Sequence, residues 1–177
     1  MEQTTEEVVT PTRKQRNLAI KVAKDVLESI HGLAIQTGAY VYASTDLDGI
    51  KGSKAQAEYL STNKRCRTCA LGACLLSLVK LRNKFEFEIS NDTYGDHSPY
   101  IGVSWETAQE RLKEAFTPQQ IQQIEDAFEV YRMGNIYPDL QATIRFGQAY
   151  SDDAERLTAI MQNIIDNDGI FTPVPRG

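Results

Sequence analysis

Asn63-Lys64-Arg65-Cys66-Arg67-Thr68-Cys69-Ala70-Leu71-Gly72-Ala73-Cys74-Leu75-Leu76 holds all three cysteines of this 177-residue chain within nine residues. From Leu71 onward the apolar residues (Leu71, Ala73, Cys74, Leu75, Leu76, Leu78, Val79, Leu81) leave almost no polar side. That is the pattern of a helix buried all round, not of one resting on a surface. The spacing predicts it over about 69–82, with Thr68 as its N-cap. Whatever flanks it in sequence must then pack around it.

On the N-terminal side, Ser53-Lys54-Ala55-Gln56 has capping-box spacing and predicts a short helix to about Ser61. The aromatic and β-branched run Thr37-Gly38-Ala39-Tyr40-Val41-Tyr42-Ala43 reads as a strand, and Asp46-Leu47-Asp48-Gly49 as a turn. Leu18, Val22, Val26 and Ile30 recur every four residues in a helix opened by Pro11-Thr12 and capped near Gly32. On the C-terminal side, Phe85-Glu86-Phe87-Glu88-Ile89 alternates strictly, as a half-buried strand does. A loop over 90–102 follows. Helical patterns come next, through Trp105, Ala108, Leu112 and Ala115, then from Thr117-Pro118-Gln119-Gln120 to Gly134, over 138–145, and over 152–167. The expected fold is α+β and α-rich, with a small two- or three-stranded antiparallel sheet packed on the central apolar helix and a C-terminal helical region. Residues 1–11 read as a disordered tail, 12–172 as one globular domain, and 173–177 as a C-terminal tail.

The net charge of −5 conceals a division: residues 13–84 carry thirteen Lys or Arg and five acids, residues 85–177 six and sixteen. Either the basic part meets an anionic ligand, or the two parts pack with complementary surfaces. No apolar run approaches a membrane span, and the polar, acidic Met1–Glu7 is unlike a targeting peptide. The expectation is a protein of a reducing cytoplasm with free thiols and no membrane partner.

Three chemistries are open to the thiols. Cys66-x-x-Cys69 matches half of a zinc framework, but no second ligand couple accompanies it, so no metal site is assigned. Cys69, at a helix start beside basic residues, has the setting that lowers a thiol pKa. His97 as base and Asp92 or Asn91 as orienting group would complete a cysteine hydrolase or transferase. Alternatively, Cys69 and Cys74 are packing thiols. Asp46-Leu47-Asp48-Gly49 lacks the closing Glu of a calcium loop, and the chain has no Walker loop or glycine fingerprint. No cofactor is expected, and nucleic acid is not a favoured partner. Lys64, Arg65 and Arg67, with Tyr40 and Tyr42 nearby, are the candidate contacts for a small anionic ligand.

Gly38-Ala39-Tyr40 with Asp48-Gly49, then Cys69-Ala70-Leu71-Gly72-Ala73, the pair Asn91-Asp92, and Glu106-Thr107-Ala108 with Leu112 and Ala115 follow in a distinctive order. This resembles a family of small domains of unknown function found in bacteriophages and actinobacteria, in which a Cys-Ala-x-Gly-Ala helix is followed by an Asn-Asp pair. The resemblance covers about residues 18–116. Thr68 stands where that family often has an aromatic, and Cys66 and Cys74 are additions. It implies a phage accessory protein acting in the bacterial host cytoplasm, and it adds Asn91 to the candidate ligand contacts. The expected function is a non-enzymatic binding protein, an anti-defence or host-takeover factor. It would engage a host bacterial protein or sequester a small anionic, nucleotide-like ligand. The alternatives are the Cys69 and His97 enzyme and a structural subunit that forms homo-oligomers.

Overall fold

Thr12 opens the first helix by a reciprocal cap: its hydroxyl accepts the Gln15 N–H at 3.1 Å while its own N–H donates to Gln15 Oε1 at 2.9 Å. The computed structural model describes residues 8–38, 40–43, 47–64, 66–82, 84–90 and 100–174. Over these the chain runs α1 (Arg13–Ser29), a 3₁₀ turn, β1 (Ala34–Ile35), β2 (Val41–Ala43), α2 (Ser53–Ser61), β3 (Cys66–Thr68) and α3 (Ala70–Arg82). It continues with β4 (Glu88–Ser90), β5 (Tyr100–Gly102), α4 (Trp105–Leu112), α5 (Pro118–Glu129), α6 (Leu140–Gln148) and α7 (Asp153–Asp166). The fold is α+β and helix-rich, with α3 at its centre. Ala70 to Val79 is buried without a break, and α1, α2, α4 and α5 all pack on it. Leu71, Leu75, Leu76 and Leu78 are among its fully buried side chains, each worth about 2 kcal/mol of apolar transfer. Its one internal hydroxyl, Ser77, donates to Asp25 Oδ2 at 2.5 Å, and Lys80 pairs with the same carboxylate at 2.6 Å.

The sheet departs from expectation. Among the described residues it has five strands in the order β1-β3-β2-β5-β4, not two or three, and β1 runs parallel to β3 while the other pairings are antiparallel. The missed strands are two or three residues long, too short to show a period. Cys66–Thr68, expected to lead into the helix, is one of them: Cys66 and Thr68 point inward and Arg67 outward. Thr68 is accordingly no N-cap; its hydroxyl donates to the Tyr40 carbonyl at 2.6 Å. Phe85-Glu86-Phe87 keeps the burial alternation that suggested a strand, but the pairing begins only at Glu88. Its two rings contact each other edge to face at 4.9 Å instead.

In register, Tyr42 stands opposite Arg67 on one side and Gly102 on the other. Val41, Ala43, Cys66, Thr68 and Ile101 are buried, whereas Tyr42 and Arg67 are exposed, so these two share the outer face. In the C-terminal helices, Thr117 caps α5 with Pro118 in its first turn, as predicted. The helix stops at Glu129 rather than near Gly134, because Val130 adopts φ 64°. That left-handed conformation is costly for a β-branched residue. It is held by Asp126, whose carboxylate accepts the Met133 N–H at 2.6 Å and the Tyr137 hydroxyl at 2.8 Å. The basic α1 packs along the acidic α7, with Arg16 and Asp168 paired at 2.6 Å on the surface. Among the described residues no helix is long and apolar enough to cross a membrane.

Sheet and central helix meet at Gly72, where a Cβ would stand 1.3 Å from the Tyr40 carbonyl oxygen and 2.2 Å from Thr68 Oγ1. Backbone cannot yield as a flexible side chain would. Gly72→Ala is expected to cost about 3 kcal/mol or more in urea-induced unfolding. A loss below about 0.5 kcal/mol would contradict this contact.

Candidate functional site

Cys69 sits between the end of β3 and the first turn of α3, as close to a helix start as the sequence suggested, but it is only 3% exposed. Two opposing effects act on its thiol. Burial raises the pKa and dominates; the Gly72 and Leu71 backbone amides lower it; nearby Glu129 and Glu125 raise it again, and the result is pushed up to about 12. Cys66 is likewise pushed up to about 12 by burial, and Cys74 higher still. All three are free and buried. A neutral thiol shielded from solvent is a poor nucleophile and a poor metal ligand. Among the described residues no three His, Cys, Asp or Glu side chains cluster to hold a metal. His97, Asp92, Asn91, Arg65 and Asp46 lie outside the described residues, and so do residues 1–7 and 175–177 of the expected tails.

The candidate anion contacts divide. Arg67, Tyr40 and Tyr42 line one open pocket of about 410 Å³ on the outer face of the sheet, together with Gln36, Gly38, Val41, Gly102 and Val103. Lys64 does not line it. Its ammonium donates to the His31 carbonyl within the 3₁₀ turn, outside that pocket.

Tyr40 is the hinge between this pocket and the interior. Its carbonyl presses on Gly72, its ring stacks on Trp105 at 5.1 Å, and its hydroxyl donates to Glu125 Oε1 at 2.5 Å. Glu129, one helical turn further along α5, accepts the Gly38 N–H at 3.1 Å. Two carboxylates from α5 thus hold the segment between β1 and β2 from behind. Both have raised pKa values, with burial the first cause. For Glu125 the Tyr40 hydroxyl offsets part of the rise, while Glu129 and Asp126 add to it. For Glu129 the Gly38 amide and Arg156 lower it and Asp153 raises it. Burial and Glu125 together drive the Tyr40 phenol far above its ordinary value, so it stays a donor.

Trp105 was read from sequence only as part of a helix's apolar pattern, and Glu125 and Glu129 were not singled out. A signal for the acids existed: they are like charges at i and i+4, unfavourable on an open helix face, and they flank the apolar Phe128.

The pH consequence follows from the direction of these shifts. An acid whose folded pKa is raised favours folding while protonated. That contribution is lost as pH climbs out of the ordinary carboxylate range and through the raised folded values. Glu125→Gln keeps an oxygen for the Tyr40 hydroxyl and cannot ionise. Its unfolding free energy should therefore fall less steeply than wild type over that window; superimposable profiles would contradict the burial of Glu125. In the folded protein at neutral pH, iodoacetamide should leave Cys69 unmodified and label it only on unfolding, read by mass spectrometry of tryptic peptides.

Compared with models of known protein families, with curated proteins and with solved structures, the chain finds no significant match.

Proposed function

We propose that this is a non-catalytic binding protein whose outer sheet face takes a small anionic ligand bearing a planar group, a nucleotide being the natural example. One observation carries the reading: Arg67 and Tyr42 are register partners on the exposed face, and with Tyr40 they line the same open pocket. A guanidinium presents a rigid fork of donors suited to phosphate or carboxylate oxygens. Tyrosine rings offer a flat, amphipathic surface for a base or other aromatic ring. Gly102, the partner of Tyr42 on the other side, puts no side chain over the pocket. Against an enzyme stands the buried, neutral Cys69. The likeness of its Cys-Ala-Leu-Gly-Ala helix to phage and actinobacterial domains leads us to propose a phage accessory role in the bacterial cytoplasm. Withdrawing a nucleotide-like signal from the host would there act as anti-defence.

Calorimetric titration with adenosine monophosphate and with inorganic phosphate tests this. Arg67→Ala should weaken the nucleotide about tenfold, the worth of one charge-assisted contact, and flatten its salt dependence. Tyr42→Ala should weaken the nucleotide while leaving phosphate unchanged. Wild-type protein that binds neither ligand, or Arg67→Ala binding as tightly as wild type, overturns the reading.

A further inference from the structure

Helix α5 buries five polar side chains, Gln120, Gln123, Glu125, Asp126 and Glu129. The three acids have their partners in Tyr40, Gly38, Met133 and Tyr137. Gln120 does not: it is 5% exposed, and neither the oxygen nor the nitrogen of its carboxamide has a hydrogen-bond partner among the described residues. Its backbone N–H donates to Thr117 Oγ1, but its side chain makes no reciprocal bond to the Thr117 N–H of the kind Gln15 makes to Thr12. Buried polar groups in folded proteins are nearly always paired, and an exception asks for an explanation.

The surroundings supply one. Gln120 lines a cavity of about 260 Å³ between the first turns of α5 and two extended segments, Val8–Pro11 and Ile170–Val174. Pro11, Phe171 and Pro173 give it apolar walls, and Asp139 is the only acidic or basic side chain among the described residues that line it. At 100° per residue, Gln119, Gln120 and Gln123 lie on the side of α5 opposite Glu125 and Glu129. The cavity is thus separate from the sheet-face pocket. A carboxamide offers a donor and an acceptor on one edge, and its best partner presents an acceptor and a donor in matching order. Lined among the described residues by neutral amides and one acid, the cavity disfavours anions, the reverse of the Arg67 face.

We propose that this cavity is a second binding site, for a small uncharged ligand whose edge carries a hydrogen-bond donor beside an acceptor, and that Gln120 recognises that edge. Carboxamides and nucleobases share this chemistry. Nicotinamide and uracil are therefore the probes, titrated into the full chain and followed by amide chemical shifts. At least one should bind saturably, with shifts centred on residues 117–123 and 170–174; the one that binds identifies the source of the edge. Gln120→Leu should weaken that probe at least tenfold while leaving Tm unchanged or higher, since it removes an unpaired amide without opening a void. Val9→Trp provides an independent check: Val9 is 61% exposed on the cavity wall, so the larger ring blocks entry without disturbing the core. It too should abolish binding. Arg67→Ala should leave it untouched, which separates this site from the one on the sheet. Saturation by neither probe, or equal affinity in wild type and Gln120→Leu, overturns the proposal.

Discussion

The approach of the Tyr40 carbonyl to Gly72 is the contact on which the rest of this structure depends. From Ala70 to Leu76 helix α3 carries no hydroxyl, amide or charged side chain with which to satisfy a backbone group pressed against it. The carbonyl brought there must carry its partner along, and it does: Thr68 reaches across from β3 to donate to it. One hydroxyl therefore ties β3 to the segment before β2, at the only kind of residue that lets backbone touch helix. With the carbonyl fixed on one side, the Tyr40 ring leaves on the other, against Trp105 and toward Glu125. The floor of the sheet-face pocket is set by core packing, not by the loop that carries it.

This arrangement separates charge by depth. Arg67 stands at the surface, while Glu125 and Glu129 lie behind the same pocket, close to Cys69. The acids act twice: they hold Tyr40 and Gly38, and they raise the pKa of a thiol whose helix-terminal position alone would have lowered it. Burial and two carboxylates outweigh two backbone amides. The same residue type at the same helix position can be a nucleophile or an inert packing group. The difference here lies in elements some sixty residues further along the chain, and local sequence around Cys69 carries no trace of them.

Long periodic segments were legible and short ones were not. The Leu18–Ile30 stripe, the Thr117-Pro118 cap and the burial of the Leu71–Val79 segment all emerged from spacing, because each repeats a signal over several turns or uses a residue with one strong local preference. Cys66–Thr68 gave no such signal; three residues become a strand only because β1 and β2 lie on either side. The alternation at Phe85–Phe87 was real as a burial pattern and misleading as a pairing pattern, since period two reports which side faces the core and not whether a neighbour supplies hydrogen bonds. Of the candidate ligand contacts, Arg67, Tyr40 and Tyr42 meet because register brings them together, and register is a tertiary property. Lys64, two residues before β3 and a cation like Arg67, is drawn off by a backbone carbonyl.

Helix α5 shows most plainly how polar accounting reaches beyond pattern. Read as a stripe of Ile121, Ile124 and Phe128, it is an ordinary amphipathic helix whose Gln and Glu residues belong in water. In the fold it is enclosed on nearly all sides, and every polar side chain it carries inward must find a partner or bear the loss of hydration. Asp126 at 0% exposure meets that demand completely, organising the turn that follows and holding Val130 in a left-handed conformation. Glu125 and Glu129 meet it by pinning the sheet-face pocket. A helix whose three buried acids are all matched makes the unmatched amide of Gln120 informative: a stray polar residue would be unremarkable in a loosely packed segment, but here it lines a cavity.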